Sequence, residues 1–201
     1  MIKLGITGGI GAGKSYVARL LTQEFGVPVY DCDREAKRIM VENEGVRAGI
    51  TNLVGADAYA ADGSLNRPVI ARFLFASPEH AAQVNAVVHP AVKADVRHWF
   101  RQLEEQDAPP PVAAMESAIL VEAGFLDVVD ALLIVEAPTS LRMARVQQRD
   151  GASSEQVARR MAVQADDEQR RRLATYVIVN DGRDLISQIS ELPFLASPNH
   201  T

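Results

Sequence analysis

The stretch that decides the fold is Gly8-Gly9-Ile10-Gly11-Ala12-Gly13-Lys14-Ser15. It follows the pattern G-x-x-x-x-G-K-S of a phosphate-binding loop, a motif that needs a strand before it and a helix after it. The apolar run at residues 2–7 predicts a buried strand, and apolar residues at helical spacing follow the loop as far as Phe25. Gly26 is a typical residue to end that helix. The loop is therefore predicted in the context that the motif requires.

The residue types of this loop suit the binding of a triphosphate. Successive backbone N–H groups of such a loop point into one concavity, and the helix N-terminus behind it adds partial positive charge. Glycines let the backbone approach phosphate oxygens without a Cβ in the way. Lys14 supplies a mobile charge for the β- and γ-phosphates, and the Ser15 hydroxyl is the expected ligand of Mg²⁺. The alternative is a glycine-rich turn that opens a helix and binds nothing.

The composition indicates an ordinary globular chain. Of the 201 residues, 47% are apolar and 23% are charged, which suits one domain with room for subdomains. The net charge of −5 argues against broad nucleic-acid or membrane-surface binding. The single cysteine, Cys32, rules out an intrachain disulfide, and the apolar runs are too short to span a bilayer. Because the first strand leaves no room for a signal peptide, we expect a cytoplasmic protein with no nucleic-acid or membrane partner.

Strands and helices alternate along most of the chain. After the helix that ends at Phe25, buried strands are predicted in four places, at residues 27–30, 112–115, 132–135 and 176–179. This alternation predicts a mostly parallel, doubly wound sheet, and Pro28 places the second strand at its edge or at the start of that strand. Residues 45–106 contain no convincing strand, so we expect a helical insertion that resembles a substrate-binding subdomain.

Two acids follow the second strand. Asp31 and Asp33 lie at the carboxyl end of that strand, which is where open α/β sheets bind ligands. The alternative is that Asp33 caps the helix predicted from there to about Asn43, because aspartate is a favoured N-cap. The two roles are compatible.

His89 and Glu116 are further candidates for the site. Pro90 should kink or break the surrounding helix and free a carbonyl, so His89 can face a ligand or be a structural histidine at a kink. Glu116 closes the strand at residues 112–115, where a carboxylate can orient Mg²⁺ through water. The alternative for Glu116 is an acid that begins a helix at residues 117–122.

An arginine-rich helix is predicted after Pro138 and Thr139. Arg142, Arg145 and Arg149 recur at spacings of three and four, so they share one helix face. Arginines held over a phosphoryl-transfer site stabilise the charge of the transferred group. A solvated face and a nucleic-acid patch are the alternatives, and the acidic composition of the whole chain disfavours the second.

Several shorter motifs occur in a fixed order along nearly the whole chain. They are residues 5–15, Asp31-Cys32-Asp33, Asp62-Gly63-Ser64-Leu65, His89-Pro90, Leu120-Val121-Glu122, Arg145-Val146-Gln147-Gln148-Arg149-Asp150, Gln164 and Val177-Ile178-Val179-Asn180-Asp181-Gly182. In this order and spacing they resemble the dephospho-CoA kinase family, P-loop kinases of the nucleoside-monophosphate-kinase type. The chain departs from the family pattern at Tyr16, Ala118 and Thr175, where threonine, proline and aspartate are usual, and its lid helix starts one residue late.

The resemblance implies an α/β P-loop kinase fold with a five-stranded parallel sheet, a helical substrate-binding insertion and a lid. The implied core comprises residues 1–30, 112–138 and 176–201, the helical subdomain for the CoA precursor residues 31–111, and the lid residues 139–175. The implied reaction is ATP-dependent phosphorylation of the ribose 3′-hydroxyl of dephospho-CoA, the last step of CoA biosynthesis, with Mg²⁺. Another small-molecule or nucleotide kinase of the same fold is the alternative. A nucleotide-switch GTPase is disfavoured because the chain has no N-K-x-D guanine signature.

The resemblance also implies roles for individual residues. The catalytic residues are Asp33 as the base, Lys14, Arg145 and Arg149. The residues that bind ATP are Gly8, Gly9, Gly11, Ala12, Gly13, Lys14, Ser15, Tyr16, Asn180 and Gly182. The residues that bind the second substrate are Asp33, His89 and Glu116, and the metal ligand is Ser15.

Overall fold

The computed structural model describes residues 1–162, 164 and 166–195. The end of the predicted core, residues 196–201, lies outside this range. The strands are β1 (Ile2–Thr7), β2 (Val29–Asp31), β3 (Val112–Glu116), β4 (Ala131–Glu136) and β5 (Tyr176–Val179). The helices are α1 (Lys14–Phe25), α2 (Cys32–Glu42), α3 (Glu44–Val54), α4 (Arg67–Ala76), α5 (Pro78–Glu104), α6 (Thr139–Asp150), α7 (Ser154–Ala162), α8 (Asp167–Leu173) and α9 (Leu185–Ser190).

The strands form one sheet in the order β2-β3-β1-β4-β5. β1 pairs in parallel with β3 and β4, and β4 pairs in parallel with β5. The predicted parallel sheet is thus confirmed, and β2 lies at its edge, as Pro28 indicated. The register pairs Ile6 with Glu116, so Glu116 reaches the same edge of the sheet as the start of the phosphate loop.

One face of the sheet packs against α1 and α9. Alternate strand residues such as Leu4 and Leu133 join Leu21 of α1 and Ile189 of α9 in a common core, and all four side chains are fully buried. Burying one such side chain contributes about 1.5–3 kcal/mol. α1 ends as predicted, because Gly26 adopts the left-handed conformation at φ 66° and its N–H bonds to the Leu21 carbonyl. This packing fixes α1 and the loop that precedes it.

Residues Asp31–Trp99 form a compact unit of their own, distinct from the unit of residues 1–30 and the described residues from 100 onward. The unit Asp31–Trp99 is helical, as predicted, and it holds α2, α3, α4 and most of α5. Arg38 cross-links it through ion pairs with Glu35, Glu42 and Asp95 at 2.6–2.9 Å. Because three carboxylates surround one guanidinium, this arrangement is a structural anchor of the helical unit.

Two local expectations differ from the structure. Of the two effects expected of Pro90, a break does not occur, since α5 runs from Pro78 to Glu104 as one element, and a kink stays a prediction. Residues 118–124 form hydrogen-bonded turns and not a helix. Leu120 is fully buried, and an ideal Cβ on Gly5 would lie only 2.9 Å from its side chain, so packing against β1 holds this segment in turns. Among the described residues, we find no helix with the length and apolar character needed to cross a bilayer.

Candidate active site

The phosphate loop, residues 8–15, connects β1 to α1. Gly13 is the N-cap of α1 in the left-handed region at φ 97°, and no side chain caps the helix there. A tight turn precedes it, in which the Ala12 N–H donates to the Gly9 carbonyl at 3.0 Å. Lys14 is buried, whereas Ser15 is exposed. A helix N-terminus without a side-chain cap presents its first N–H groups to a ligand, so the loop is shaped to receive an anion.

The loop glycines are also required by the protein around them. An ideal Cβ on Gly8 would lie 2.2 Å from the Val135 carbonyl oxygen, and one on Gly13 would lie 2.2 Å from the Asn180 amide nitrogen. No Cβ tolerates contacts this close. The sequence explained the need for glycine at these positions only by phosphate binding. Packing against neighbouring strands and loops is a second reason.

Ser15 and Glu116 are brought together at the edge of the sheet. The Ser15 hydroxyl donates to Glu116 Oε2 at 3.4 Å, and Glu116 is buried at the end of β3. The alternative that Glu116 begins a helix is wrong, because turns follow it. A hydroxyl and a carboxylate side by side form a pair of hard oxygen donors.

Arg145 and Asn180 join the loop to two other elements. Arg145 of α6 donates to the Asn180 side-chain oxygen at 3.2 Å and approaches the Gly11 carbonyl at 3.5 Å. Asn180, which follows β5, donates in turn to the Ala12 carbonyl at 2.9 Å. Asn180, which was assigned to ATP binding, and Arg145, which was assigned to catalysis, therefore meet at the loop.

A cavity of about 180 Å³ opens beside these contacts. Its walls are formed by Gly11, Gly13, Lys14, Ser15, Tyr16, Arg145, Val146 and Arg149. Three of these side chains are cationic and none is a carboxylate. Arg149 is turned toward Asp150, whose carboxylate accepts two hydrogen bonds at 2.7 and 3.1 Å and raises the pKa of the guanidinium. A cavity with cationic side chains and a helix N-terminus is suited to a polyphosphate.

Tyr16 and Gly182 differ in their relation to this cavity. Tyr16 is 48% exposed and lines the cavity, with the Arg19 guanidinium 5.5 Å from its ring centre. Gly182 is not among the lining residues and lies in the turn between β5 and α9 at φ 107°. The assignment of Gly182 to ATP binding stays a prediction.

Gln164 is a contact of the loop to which sequence reasoning gave no role. Its side-chain oxygen accepts a hydrogen bond from the Ile10 N–H at 2.7 Å, and its amide donates to the Ala118 carbonyl at 3.3 Å. One side chain thus links the phosphate loop to the turn that follows Glu116. The only signal in the sequence was that Gln164 belongs to the motifs of the resemblance.

Asp33 and His89 belong to the helical unit, Asp31–Trp99. The alternative that Asp33 caps α2 is wrong, because Asp31 is the N-cap and accepts from the Arg34 N–H at 3.0 Å. Asp33 is exposed in the first turn. His89 is half-buried in α5, and burial lowers the pKa of its imidazole. Their roles toward the substrates stay predictions.

Comparisons with known proteins cover almost the whole chain. The family model described as dephospho-CoA kinase matches residues 2–185. A dephospho-CoA kinase of Bacteroides fragilis strain YCH46 is 46% identical over 192 residues, which is 95% of this chain and 91% of the relative. A solved structure from Thermus thermophilus is 35% identical, with a TM-score of 0.75 over 94% of this chain and 93% of that one. The structure of a dephospho-CoA kinase from Campylobacter jejuni shares the fold, with 20% identity and a TM-score of 0.65 over 90% of this chain and 89% of that one.

Proposed function

The chain belongs to the dephospho-CoA kinase family, and we propose that it transfers the γ-phosphoryl group of ATP to the ribose 3′-hydroxyl of dephospho-CoA, giving coenzyme A and ADP. The observation that carries this proposal is the cavity at the phosphate loop, where Lys14, Arg145 and Arg149 converge on a helix N-terminus in a chain of this family. ATP and dephospho-CoA are the proposed partners, and the cytoplasm is the proposed compartment.

The loop and Lys14 are proposed to hold the triphosphate. The N–H groups at the start of α1 point at the phosphate oxygens, and the macrodipole of α1 adds to their attraction. Lys14 is 8% exposed, so its charge acts where water screens it little. Arg145 is held beside Gly11 and Asn180, a position from which it can reach phosphate oxygens with little reorganisation.

Mg²⁺ is the proposed cofactor, held by Ser15 with Glu116 beside it. Both side chains offer hard oxygen atoms, and Mg²⁺ in kinases is bound by one or two protein oxygens, substrate phosphates and several waters. When bound, the metal neutralises charge on the β- and γ-phosphates. The buried carboxylate of Glu116 accepts a hydrogen bond from the Ser15 hydroxyl and so helps to orient it.

Asp33 is the proposed base. Phosphoryl transfer requires little covalent help from the protein, so a carboxylate that accepts the hydroxyl proton late in transfer is sufficient. With the capping role taken by Asp31, the carboxylate of Asp33 is available for this chemistry. His89 is proposed to contact the CoA precursor, and residues 139–175 are proposed to act as a lid that excludes water during transfer.

A coupled assay tests the proposed function. The purified chain is mixed with ATP, Mg²⁺ and either dephospho-CoA or another acceptor, such as a nucleoside monophosphate, and ADP formation is followed. We expect ADP only with dephospho-CoA, together with an equal amount of coenzyme A detected by mass. Efficient transfer to another acceptor, with none to dephospho-CoA, would assign the chain to a different reaction of the same fold.

A further inference from the structure

We propose that Arg142 is a positioning residue for ATP binding. Arg142 holds the phosphate loop in the shape that receives the triphosphate, and Asp167 holds Arg142 against the loop. The inference rests on the proposed role of the loop as the ATP site, and it adds two residues that do not line the phosphate cavity.

Arg142 touches the loop with both its backbone and its side chain. An ideal Cβ on Gly9 would lie 2.3 Å from Arg142 Nη1 and 2.7 Å from Cζ, and one on Gly11 would lie 2.4 Å from the Arg142 carbonyl oxygen. Gly11 also adopts a φ of 77°, which disfavours any side chain. The loop therefore packs against Arg142 on both sides of Ile10. If Arg142 moves, the loop loses this support and can change its conformation.

Asp167 fixes the guanidinium through its Nη1. Its two carboxylate oxygens accept hydrogen bonds from Arg142 Nη1 at 2.9 and 3.0 Å. Arg170, which is 3% exposed, also donates to this carboxylate. Burial acts to raise the pKa of Asp167, but the hydrogen bonds from Arg170 and Arg142 outweigh it, so the pKa lies below its usual range. The carboxylate is thus ionised at neutral pH, and its hydrogen bonds to both arginines are charge-assisted.

Packing alone does not account for an arginine at this position. Arg142 is 6% exposed, and within the described part of the chain its Nε finds no hydrogen-bond partner. A buried donor without a partner is destabilising, and an apolar side chain of similar size would avoid that cost. The planar guanidinium instead does what an apolar side chain cannot, since it packs against Gly9 while its Nη1 donates to both oxygens of Asp167.

Arg142 acts through the loop and not on the phosphates. It is absent from the walls of the phosphate cavity and lines a separate cavity of about 480 Å³ together with Asp167, Glu136 and Arg171. Arg145, one turn further along α6, is the neighbour that does line the phosphate cavity. The helix therefore places one arginine beside the triphosphate site and another behind the loop.

The first test measures ATP affinity directly. ATP is titrated into wild type, Arg142→Met, Arg142→Lys and Asp167→Asn by calorimetry, and each variant is first checked for its fold by circular dichroism. We expect Arg142→Met to weaken ATP binding about 10- to 100-fold, the equivalent of one hydrogen bond to a charged group. Arg142→Lys and Asp167→Asn should fall between this variant and wild type, while KM for dephospho-CoA stays unchanged. Arg172→Met is the matched control, because Arg172 pairs with Glu168 on the exposed face of α8.

The second test asks whether Arg142 and Gly9 act on each other. When Arg142 is present, Gly9→Ala forces a Cβ into the guanidinium. Arg142→Ala removes the group that this Cβ would meet. The two losses of ATP affinity should therefore be less than additive in the double variant. Additive losses, or an unchanged ATP affinity in folded Arg142→Met or Asp167→Asn, would overturn the proposal. Because the readout is ATP binding, a wild type that binds ATP but fails to phosphorylate dephospho-CoA overturns the proposed function and leaves this inference standing.

Discussion

Asp31 accepts a hydrogen bond from the Arg34 N–H at the start of α2, so the carboxylate of Asp33 has no capping duty in the first turn. This division of roles makes a sharp prediction. Asp33→Asn should leave the melting temperature unchanged and reduce kcat by about 10²–10⁴-fold, the usual effect of removing a general base. Asp31→Ala should instead cost about 1 kcal/mol of stability through the lost cap and leave kcat nearly intact.

Asp31→Asn is the matched control for this pair, because asparagine caps a helix nearly as well as aspartate. Thermal melts, substrate titrations and steady-state rates are compared for the three variants. If Asp31→Asn loses turnover and Asp33→Asn keeps it, the base is Asp31. If Asp33→Asn loses affinity for dephospho-CoA at constant kcat, Asp33 positions the ribose and takes no proton.

His89 gives the protein a pH-dependent stability of defined sign. Burial lowers the pKa of His89 in the folded state below the ordinary value of 6.5, so the unfolded chain binds more protons just below that pH. The part of the free energy of unfolding that depends on neutral His89 is therefore fully present above pH 6.5 and is lost as the pH falls. His89→Gln should reduce this loss, measured as the urea midpoint between pH 5 and 8. The exposed His98 supplies the control variant His98→Gln, and an equal slope in His89→Gln and wild type would contradict the prediction.

At the scale of the element, α6 presents its arginines to different surroundings. Arg145 is bound to Asn180 and touches Gly11, whereas Arg149 lines the cavity while bound to Asp150. Replacing either Arg145 or Arg149 with alanine should lower kcat/KM by about 10²–10³-fold. This is the loss typical of one preorganised charge-stabilising donor. Because Arg145 already contacts the loop, Arg145→Ala should also weaken ATP binding, and Arg149→Ala should act mainly on kcat.

An exposed arginine provides the comparison for this prediction. Arg159 pairs with Glu155 on the surface of α7, so Arg159→Ala should leave all kinetic constants at their wild-type values. Unchanged kinetics in Arg145→Ala, Arg149→Ala and the double variant would show that neither arginine acts on the phosphates.

The elements with strong local signals could be predicted from the sequence. β1, α1 and the Gly26 cap follow from an apolar run, a helical period and a C-terminal glycine. Each of these signals is read within a few residues of the place where it acts. The alternation of strands and helices then predicted that the sheet is mostly parallel, whereas the order of its strands comes from the structure.

The failures lie where distant residues decide the local structure. Leu120 is fully buried and packs against Gly5, so its segment forms turns although its composition allows a helix. Gln164 reaches Ile10 across 154 positions of the chain, a contact without any periodic signal. The arginines of α6 share a helix face in the sequence, but only the fold shows that Arg142 is buried behind the loop.

At the scale of the whole molecule, the chain divides into the helical unit Asp31–Trp99 and the unit that carries the sheet and the phosphate loop. Within the described residues, α6, Gln164, Asn180, β3 and β4 of the sheet-containing unit contact the loop. The division into core, substrate subdomain and lid that the resemblance implies stays a prediction, and separate ATP and dephospho-CoA titrations address it.

ATP should stabilise the unit that holds the loop, because a ligand that binds only the folded chain adds RT ln(1 + [ATP]/Kd) to the free energy of unfolding. At 100 times Kd this is about 2.7 kcal/mol, which for a chain of this length raises the melting temperature by roughly 5–11 °C.

Lys14→Ala removes a buried positive charge from the phosphate cavity, so the same ATP concentration should shift its melting temperature by far less. Lys37→Ala, on the exposed surface of α2, should keep the full shift. Differential scanning calorimetry provides the measurement, and if the two units melt separately, only the transition of the sheet-containing unit should respond. An equal ATP-induced shift in Lys14→Ala and wild type would mean that Lys14 does not contact the phosphates.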